Sequence, residues 1–241
     1  MDKVIEISNL YKIFKNSRGI ENINLDIYKG EIFGFLGPNG SGKTTTMKLM
    51  TGLIKPDRGD VKILGYSITD NPEKALSNMG CLIENAVAYP YLTAFENLRQ
   101  FSRYYEDVDS NRICEVLDSL DLLKYKDEKP IKFSLGMKQR LGIAATILSK
   151  PKVVILDEPL NGLDVEGMIS IRNIIKKMSE DENTTFFISS HLIHDIELTC
   201  TRIGILYNGR IINTNTTKNI LQNYPSLEDY FVEEVKKNEQ L

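Results

Sequence analysis

The chain has 241 residues, of which 41% are hydrophobic and 26% are charged, so a disordered or fibrous protein is excluded and an ordinary globular domain is expected. Its 33 acidic and 30 basic residues give a net charge of −3, which provides no general attraction to nucleic acid. The sequence contains neither an apolar run long enough to span a membrane nor the apolar core of a secretion signal, which predicts a cytoplasmic protein.

The N-terminal part of the chain predicts β-strands that lead into a strand, a turn and a helix. Residues 1–30 alternate apolar and polar positions around a turn at residues 16–19, which is typical of two antiparallel strands. Residues 31–36 are almost continuously apolar, as expected for a strand buried on both faces of a parallel sheet. The pattern then predicts a helix at 44–53 and a further strand at 60–64.

The middle of the chain changes to helical spacing between about residues 85 and 140. Helices are predicted at 94–105, 111–120 and 138–149. The third has one apolar face, formed at positions i, i+3, i+4 and i+7 by Leu141, Ala144, Ala145 and Leu148. This region is therefore predicted to be a helical insertion.

Strands and helices alternate after residue 150. The predicted order is a strand at 153–156, a helix at 166–179, a strand at 184–189, a helix at 191–199 and a strand at 203–207. A helical pattern around Leu227 and Tyr230 follows, and we expect this tail to brace the core. Together these elements predict an α/β core with a helical insertion and a small β lobe.

Cysteine and histidine usage argues against a disulfide framework or a zinc site. Cys81, Cys114 and Cys200 lie far apart and form no CxxC pattern, so we expect them to be reduced, buried thiols. The two histidines, His191 and His194, are too few to hold zinc without other ligands.

A glycine-rich loop provides the first chemical signal. Residues 37–44, GPNGSGKT, match G-x-x-x-x-G-K-[ST] between a predicted strand and a predicted helix, which is the arrangement of a phosphate-binding loop. Lys43 would reach the β- and γ-phosphates of a nucleotide, and the Thr44 hydroxyl would bind Mg²⁺. The alternative, a glycine-rich turn with an unrelated lysine, arises by chance about once in a hundred chains of this length. The candidate phosphate-binding residues are Gly37, Pro38, Asn39, Gly40, Ser41, Gly42, Lys43, Thr44 and Thr45.

Two acidic residues follow the predicted strand at 153–156. Asp157 is placed to hold Mg²⁺ through water, and Glu158 is placed to polarise a water molecule for attack on the γ-phosphate. The alternative is a solvated pair at the end of a strand. Because ligands of open α/β sheets bind at the carboxyl ends of the strands, the phosphate-binding loop favours the catalytic interpretation.

Three further motifs indicate to which family of phosphate-binding-loop proteins the sequence is similar. The sequence SLGMKQR at 134–140 precedes Asp157, NGLD at 161–164 follows Glu158, and His191 ends the next predicted strand. This order of motifs resembles the ATP-binding cassette of ABC transporters over about residues 3–230. The resemblance implies a P-loop NTPase with a RecA-like parallel sheet core, an N-terminal antiparallel β lobe and a helical insertion.

The resemblance implies that the chain is one ABC nucleotide-binding domain. The β lobe and core would comprise residues 1–84 and 150–213, the helical subdomain 85–149, and the helical tail 214–241 of the single domain 1–241.

The resemblance also implies a role for individual residues. Phe14 occupies the position of the aromatic residue that stacks on adenine. Ser134 and Gly136 belong to the signature motif, which binds the γ-phosphate of ATP held by the opposite subunit. Asp164 resembles the aspartate that bridges two subunits, and His191 resembles the histidine that contacts the γ-phosphate. His194 is expected to be an ordinary surface residue.

Three positions depart from the family pattern. The usual LSGGQ is FSLGMKQ here, with Leu135 and Met137 in place of a glycine and a glutamine, although Ser134 and Gly136 remain. Phe14 replaces the more usual tyrosine and keeps a face for stacking. Glu84 stands where the family has a glutamine that contacts Mg²⁺ and the attacking water, so the resemblance implies a metal-ligating role for this carboxylate. The alternative is a shifted loop in which Glu84 faces solvent.

Glu84 and the segment at 89–98, YPYLTAFENL, resemble the ATP-binding subunits of bacitracin-resistance and lantibiotic-immunity exporters. This resemblance implies an ATPase that uses ATP and Mg²⁺, acts as a homodimer or as a heterodimer with a related subunit, and powers export through a separate integral membrane permease. It would lie on the cytoplasmic face of the membrane, dock to the permease through residues 84–92, and bind no nucleic acid.

Other classes of protein stay open at this point. One is an ABC ATPase that acts on ribosomes or DNA, although such proteins usually carry two cassettes or a long coiled coil. Another is the ATP-binding subunit of a different multidrug-type exporter. A third is a degenerate nucleotide-binding module, against which Lys43, Asp157 and Glu158 argue.

Overall fold

The structure is a computed structural model that describes residues 2–84 and 88–239. Its strands are β1 (Lys3–Ile13), β2 (Gly19–Tyr28), β3 (Ile32–Leu36), β4 (Arg58–Ile63), β5 (Tyr66–Ser67), β6 (Met79–Leu82), β7 (Val153–Asp157), β8 (Thr185–Ser190), β9 (Arg202–Tyr207) and β10 (Arg210–Thr216). Its helices are α1 (Lys43–Met50), α2 (Pro72–Leu76), α3 (Ala94–Ser102), α4 (Ser110–Ser119), α5 (Leu135–Ile147), α6 (Val165–Glu182), α7 (Ile193–Thr199), α8 (Thr217–Asn223) and α9 (Leu227–Glu239).

A four-stranded antiparallel sheet forms the N-terminal lobe, with strand order β2-β1-β4-β5. The alternation predicted for residues 1–30 sets its register, since Ile7 pairs with Leu25 and all three of Ile5, Ile7 and Leu25 are buried. The chain turns between β1 and β2 at residues 14–18, and β2 begins at Gly19, where a Cβ atom would lie 1.8 Å from the carbonyl oxygen of Lys12. The predicted antiparallel lobe is therefore confirmed.

A six-stranded sheet forms the core, with strand order β10-β9-β3-β8-β7-β6. All of its neighbouring strands are parallel except the edge pair of β9 and β10. Every residue of β3, β7 and β8 is buried, which agrees with the apolar runs in the sequence. The predicted parallel core is confirmed, and with it the α/β fold class.

The two faces of the core sheet pack into different hydrophobic clusters. Phe33, Phe35 and Phe187 pack with the N-terminal lobe and α1, and the rings of Phe33 and Phe187 stack 5.6 Å apart. Phe186 and Ile188 pack with the helices on the opposite face. Because neighbouring strand residues point to opposite faces, these two clusters fix the register of β8.

The helical region between β6 and β7 contains α3, α4 and α5. Each helix begins at a side-chain cap: Thr93 forms a capping box with Glu96, Asp109 accepts from Arg112 N–H, and Ser134 accepts from Met137 N–H. The predicted helices are confirmed, with α5 beginning three residues earlier than expected. Residues 85–87 of the predicted helical subdomain and docking segment lie outside the described residues, as do Met1 and residues 240–241.

Some predictions about individual residues are corrected by the structure. Cys200 is buried as expected, but Cys81, on the edge strand β6, is exposed, and Cys114 is partly exposed. In the tail, Leu227 and Tyr230 of α9 are buried against the core, in agreement with the expected bracing role.

Across residues 2–84 and 88–239, no helix combines the length and the apolar character needed to cross a lipid bilayer.

Candidate functional site

The carboxyl ends of β3, β7 and β8 bring the candidate catalytic residues to one edge of the core sheet. Leu36, which precedes the glycine-rich loop, pairs with Ser190 of β8. Asp157 pairs with Ser189 on the other side of β8. The loop at 37–44, the acidic pair and His191 are therefore neighbours although they lie far apart in the sequence.

The glycine-rich loop is shaped by close backbone contacts. A Cβ atom at Gly37 would lie 2.4 Å from the carbonyl oxygen of Leu206, and one at Gly42 would lie 2.5 Å from Cγ2 of Ile20. Gly42 also has φ 113°, and it precedes α1 without any side-chain cap on the first N–H groups of that helix. The buried hydroxyl of Ser41 has no hydrogen-bond partner within the part of the chain that the structure describes. Uncapped N–H groups and a free hydroxyl around one loop suit a phosphate group.

Lys43 folds back into this loop. Its Nζ donates to the carbonyl oxygen of Gly37 at 2.7 Å and to that of Pro38 at 3.4 Å, and it lies 3.9 Å from Oε1 of Glu158. Burial lowers the pKa of the Lys43 ammonium, and the nearby carboxylates of Glu158 and Asp157 partly oppose this effect. The loop thus holds a positive charge among oxygen atoms that phosphate oxygens can replace.

Thr44 and Asp157 form an oxygen-lined corner beside the loop. The Thr44 hydroxyl donates to Oδ2 of the buried Asp157 carboxylate at 2.9 Å, and the Ser189 hydroxyl donates to Oδ1 at 2.5 Å. Within residues 2–84 and 88–239, no three His, Cys, Asp or Glu side chains are grouped as a complete metal site. A hydroxyl and one carboxylate fit Mg²⁺, which proteins commonly bind through one or two carboxylates together with substrate phosphates and water.

Glu158 is held between the loop and His191. Its Oε2 lies 2.9 Å from Nδ1 of His191 and accepts a hydrogen bond from the His191 backbone N–H at 3.3 Å. Glu158 has φ 49°, in the left-handed region that is uncommon for residues other than glycine. Strained backbone of this kind is frequent at catalytic positions. The carboxylate is partly exposed and thus open to a water molecule.

Glu84, for which the resemblance implies a metal-ligating role, pairs with a lysine in this structure. Its exposed carboxylate forms an ion pair with Lys48, with 2.6 Å between Oε1 and Nζ, and makes no hydrogen bond with Thr44 or Asp157. Lys48 is one helical turn beyond Thr44 on α1, so the ion pair holds Glu84 near the site. Glu84 also has φ 65°. The sequence reading missed Lys48, although its spacing of four residues from Thr44 was visible.

A groove of about 380 Å³ runs from the β1–β2 turn to the glycine-rich loop. Phe14 lines one end with its ring partly exposed, and Lys43 and Thr44 line the other end. The two ends match the positions expected for a base and for phosphates. Asn16 and Arg18 also line the groove, and the sequence reading missed both because it assigned only Phe14 in this turn.

Ser134, Gly136 and Asp164 do not line the groove of their own chain. Ser134 is exposed at the start of α5, and Asp164 is exposed at the start of α6, where its carboxylate accepts from Gly167 N–H at 2.9 Å. Gly136 packs against the loop that precedes α6, since a Cβ atom there would lie 3.2 Å from Cδ2 of Leu163. These three residues lie outside the groove lining, and Ser134 and Asp164 are exposed.

The chain matches a known protein family and several curated relatives. Residues 20–161 match the family described as ABC transporter. An uncharacterized ABC transporter ATP-binding protein of Bacillus subtilis (strain 168) is 42% identical, with 96% of this chain and 75% of the relative aligned. The bacitracin transport ATP-binding protein BcrA of Bacillus licheniformis is 39% identical over 88% of this chain and 69% of its own length. The lantibiotic transport ATP-binding protein SrtF of Streptococcus pyogenes is 37% identical over 87% of this chain and 89% of its own length.

Solved structures show the same fold. The ATP-binding subunit of an ABC transporter is 28% identical, with a TM-score of 0.87, and the match covers 96% of this chain and 99% of that one. A dimeric ATP-binding cassette in a post-hydrolysis state, bound to ADP and Pi, is 26% identical, with a TM-score of 0.80 over 88% of this chain and 98% of that one.

Proposed function

Since this chain belongs to the ABC transporter family, we propose that its groove becomes an active site when a second ATP-binding subunit adds Ser134 and Gly136. The chain itself is an ATP-binding and ATP-hydrolysing subunit. Ser134, Gly136 and Asp164 do not line the groove of their own chain, and this supports a site that takes these residues from a second subunit. The partner is a second copy of this chain or a related subunit.

Within one site, the glycine-rich loop and Lys43 hold the β- and γ-phosphates of ATP, and Phe14 stacks on adenine. Thr44 and Asp157 are the residues that would hold Mg²⁺, and the arrangement of their oxygen atoms supports this assignment. When bound, Mg²⁺ neutralises negative charge on the phosphates. Ser134 and the N-terminus of α5 from the other subunit would complete the γ-phosphate site.

Glu158 is the proposed general base, and its position between Lys43 and His191 is the observation that carries the hydrolytic function. Once a γ-phosphate draws the Lys43 ammonium, the Glu158 carboxylate is released to accept a proton from the attacking water. His191 orients that carboxylate through Nδ1, and its other ring nitrogen would contact the γ-phosphate.

The hydrolytic role is tested with Glu158→Gln, which keeps the shape of the side chain and removes the base. We expect ATP binding to persist, closed dimers to accumulate with Mg²⁺ and ATP, and phosphate release to fall by about 10²- to 10⁴-fold. Glu180→Gln, at an exposed position of α6, is the matched control. Full turnover in Glu158→Gln would place the base elsewhere, and a strictly monomeric protein under these conditions would contradict the two-subunit site.

The transported substrate is proposed to be a peptide antibiotic, such as a lantibiotic or a bacitracin-like compound, moved outward by a separate integral membrane permease. The relatives named for bacitracin and lantibiotic transport support this class. The subunit would be peripheral on the cytoplasmic face of the membrane. Recovery of the protein with a co-expressed permease in the membrane fraction would support this location, and association with ribosomes or DNA instead would contradict it.

The proposed docking surface for the permease is the segment of residues 84–92. Of its described residues, Tyr89 and Tyr91 are exposed aromatics whose ring centroids lie 5.8 Å apart. Asn97 of α3 holds this segment, because its side chain accepts from Tyr89 N–H at 2.7 Å and donates to the Tyr89 carbonyl oxygen at 3.1 Å. The first residue of the segment, Glu84, pairs with Lys48 of α1 beside the site, which supports a role for the segment in coupling the site to the permease.

The docking proposal is tested with Tyr89→Ala and Tyr91→Ala in cells that express the permease. We expect transport to fall while the ATPase activity of the purified subunit stays normal, since neither residue touches the groove. Tyr104→Ala is the control, because Tyr104 is an exposed aromatic residue outside this segment. Intact transport in both variants would contradict the proposal.

A further inference from the structure

Ser189 is a buried polar residue to which neither the motifs nor the proposed chemistry gives a role. It is fully buried at the carboxyl end of β8 and lies directly opposite Asp157 in the sheet. Its hydroxyl donates to Oδ1 of Asp157 at 2.5 Å and accepts from the backbone N–H of Glu158 at 3.1 Å. One oxygen atom therefore contacts both residues that the proposed reaction needs at this corner.

The contact with Asp157 decides which carboxylate oxygen is available for the metal. Because Ser189 occupies Oδ1, Oδ2 is the oxygen that faces the Thr44 hydroxyl. The carboxylate is buried, so rotating it away from Ser189 would leave a charged oxygen without a donor. The Ser189 hydroxyl thus favours a single orientation of the carboxylate.

The contact with Glu158 holds the backbone from which the base projects. The Glu158 N–H donates both to the Ser189 hydroxyl and to the Ser189 carbonyl oxygen, the latter at 3.2 Å. These bonds hold the residue at φ 49°, where its side chain reaches His191. Without the hydroxyl, a backbone conformation that is unfavourable for glutamate loses one of its two restraints.

We propose that Ser189 is a positioning residue for ATP hydrolysis, because its hydroxyl fixes the metal-facing oxygen of Asp157 and the direction of Glu158 at the same time. This inference rests on the proposed function of those two residues. It adds a residue that acts through others and touches neither nucleotide nor metal itself.

The test compares Ser189→Ala with Thr185→Val, which removes a buried hydroxyl from the other end of the same strand. The Thr185 hydroxyl oxygen accepts a hydrogen bond from the backbone N–H of Gly30 at 3.0 Å, far from Asp157 at the other end of β8. We expect Ser189→Ala to raise the Mg²⁺ concentration needed for half-maximal binding of a fluorescent ATP analogue by about 10- to 100-fold. Turnover should fall by a similar factor with little change in the KM for ATP at saturating Mg²⁺. Thr185→Val should change neither quantity, and Ser189→Thr, which keeps the hydroxyl, should recover most of both.

The outcomes distinguish a failure of the positioning role of Ser189 from a failure of the proposed metal-binding role of Asp157. An unchanged Mg²⁺ profile and unchanged turnover in Ser189→Ala would overturn the positioning role, as would equal effects of Ser189→Ala and Thr185→Val. Asp157→Asn serves as the reference. If it shifts the Mg²⁺ profile and Ser189→Ala does not, only the role of Ser189 fails. If neither variant shifts the profile, the metal assignment of Asp157 fails as well.

Discussion

The ion pair between Lys48 and Glu84 predicts how this site responds to Mg²⁺. If Glu84 ligates the metal during the reaction, as proposed from its position in the family pattern, its carboxylate must first leave Lys48. Lys48→Gln removes that competitor and should therefore increase the apparent affinity for Mg²⁺. Glu84→Gln restores the common family residue, so nucleotide binding should persist with an altered Mg²⁺ dependence.

The size of the effect follows from the exposure of the pair. Lys48 Nζ and Glu84 Oε1 are 2.6 Å apart, but 30% of the lysine side chain and 59% of the glutamate side chain are exposed. Solvent screening limits such a pair to about 0.2–1 kcal/mol, which corresponds to about a 1.4- to 5-fold change in Mg²⁺ affinity. Mg²⁺ is itself positively charged, so Lys48 also repels it directly. Lys48→Gln would therefore raise the affinity for Mg²⁺ in two ways, by freeing Glu84 and by removing this repulsion.

A double-mutant cycle separates competition from general repulsion. Mg²⁺ would be titrated against binding of a fluorescent ATP analogue in the wild type, Lys48→Gln, Glu84→Gln and the double variant. Competition predicts that Lys48→Gln changes the Mg²⁺ midpoint only while Glu84 is present. The same shift in both backgrounds would refute the reasoning, because it would arise from charge alone. An unchanged profile in Glu84→Gln would place Glu84 outside the metal site.

Three further predictions concern binding and stability. Arg18→Ala should weaken binding of the ATP analogue several-fold in a salt-dependent way, because Arg18 lines the groove and carries a positive charge. Lys15→Ala, in the same turn but outside the groove lining, should not weaken binding, and equal titration curves for the two variants would contradict this prediction. Leu227→Ala should lower the free energy of unfolding, measured in urea, by about 2–5 kcal/mol because the Leu227 side chain is buried in the core. Leu221 is exposed, so Leu221→Ala is the control, and an effect of Leu227→Ala no larger than that of the control would show that α9 does not brace the core. Thr93→Ala should cost about 1 kcal/mol in the same assay through loss of the capping box, and no measurable change would argue against that cap.

The strands and helices predicted from the sequence are those in which buried apolar residues recur in a regular pattern along the element. The apolar runs of β3, β7 and β8 predict buried parallel strands because both faces of these strands are covered. β10 was not predicted, since RIINTNT is an edge strand whose residues are mostly half-buried and polar. α2 was missed for a different reason, because five residues that begin with a proline give too short a pattern.

Among the site residues too, those that belong to a regular sequence pattern were predicted and those that do not were missed. Lys43, Thr44, Asp157 and Glu158 were identified because each belongs to a contiguous motif or directly follows a strand. Ser189 belongs to no such motif, and its role depends on which residue of β7 lies opposite it. That information comes from the register of the sheet, which a single sequence does not specify.

The register of β8 against β7 affects both the packing of the core and the geometry of the proposed active site. Phe187 packs on one face of β8, and Phe186 and Ile188 pack on the other, so a slip of one residue would place large apolar side chains in the wrong cluster. A slip that brought Ile188 opposite Asp157 would also remove the hydroxyl that holds both the Asp157 carboxylate and the backbone of Glu158. The aromatic packing of the core therefore does more than stabilise the sheet. It sets the alignment of two parallel strands on which the proposed metal and water positions depend.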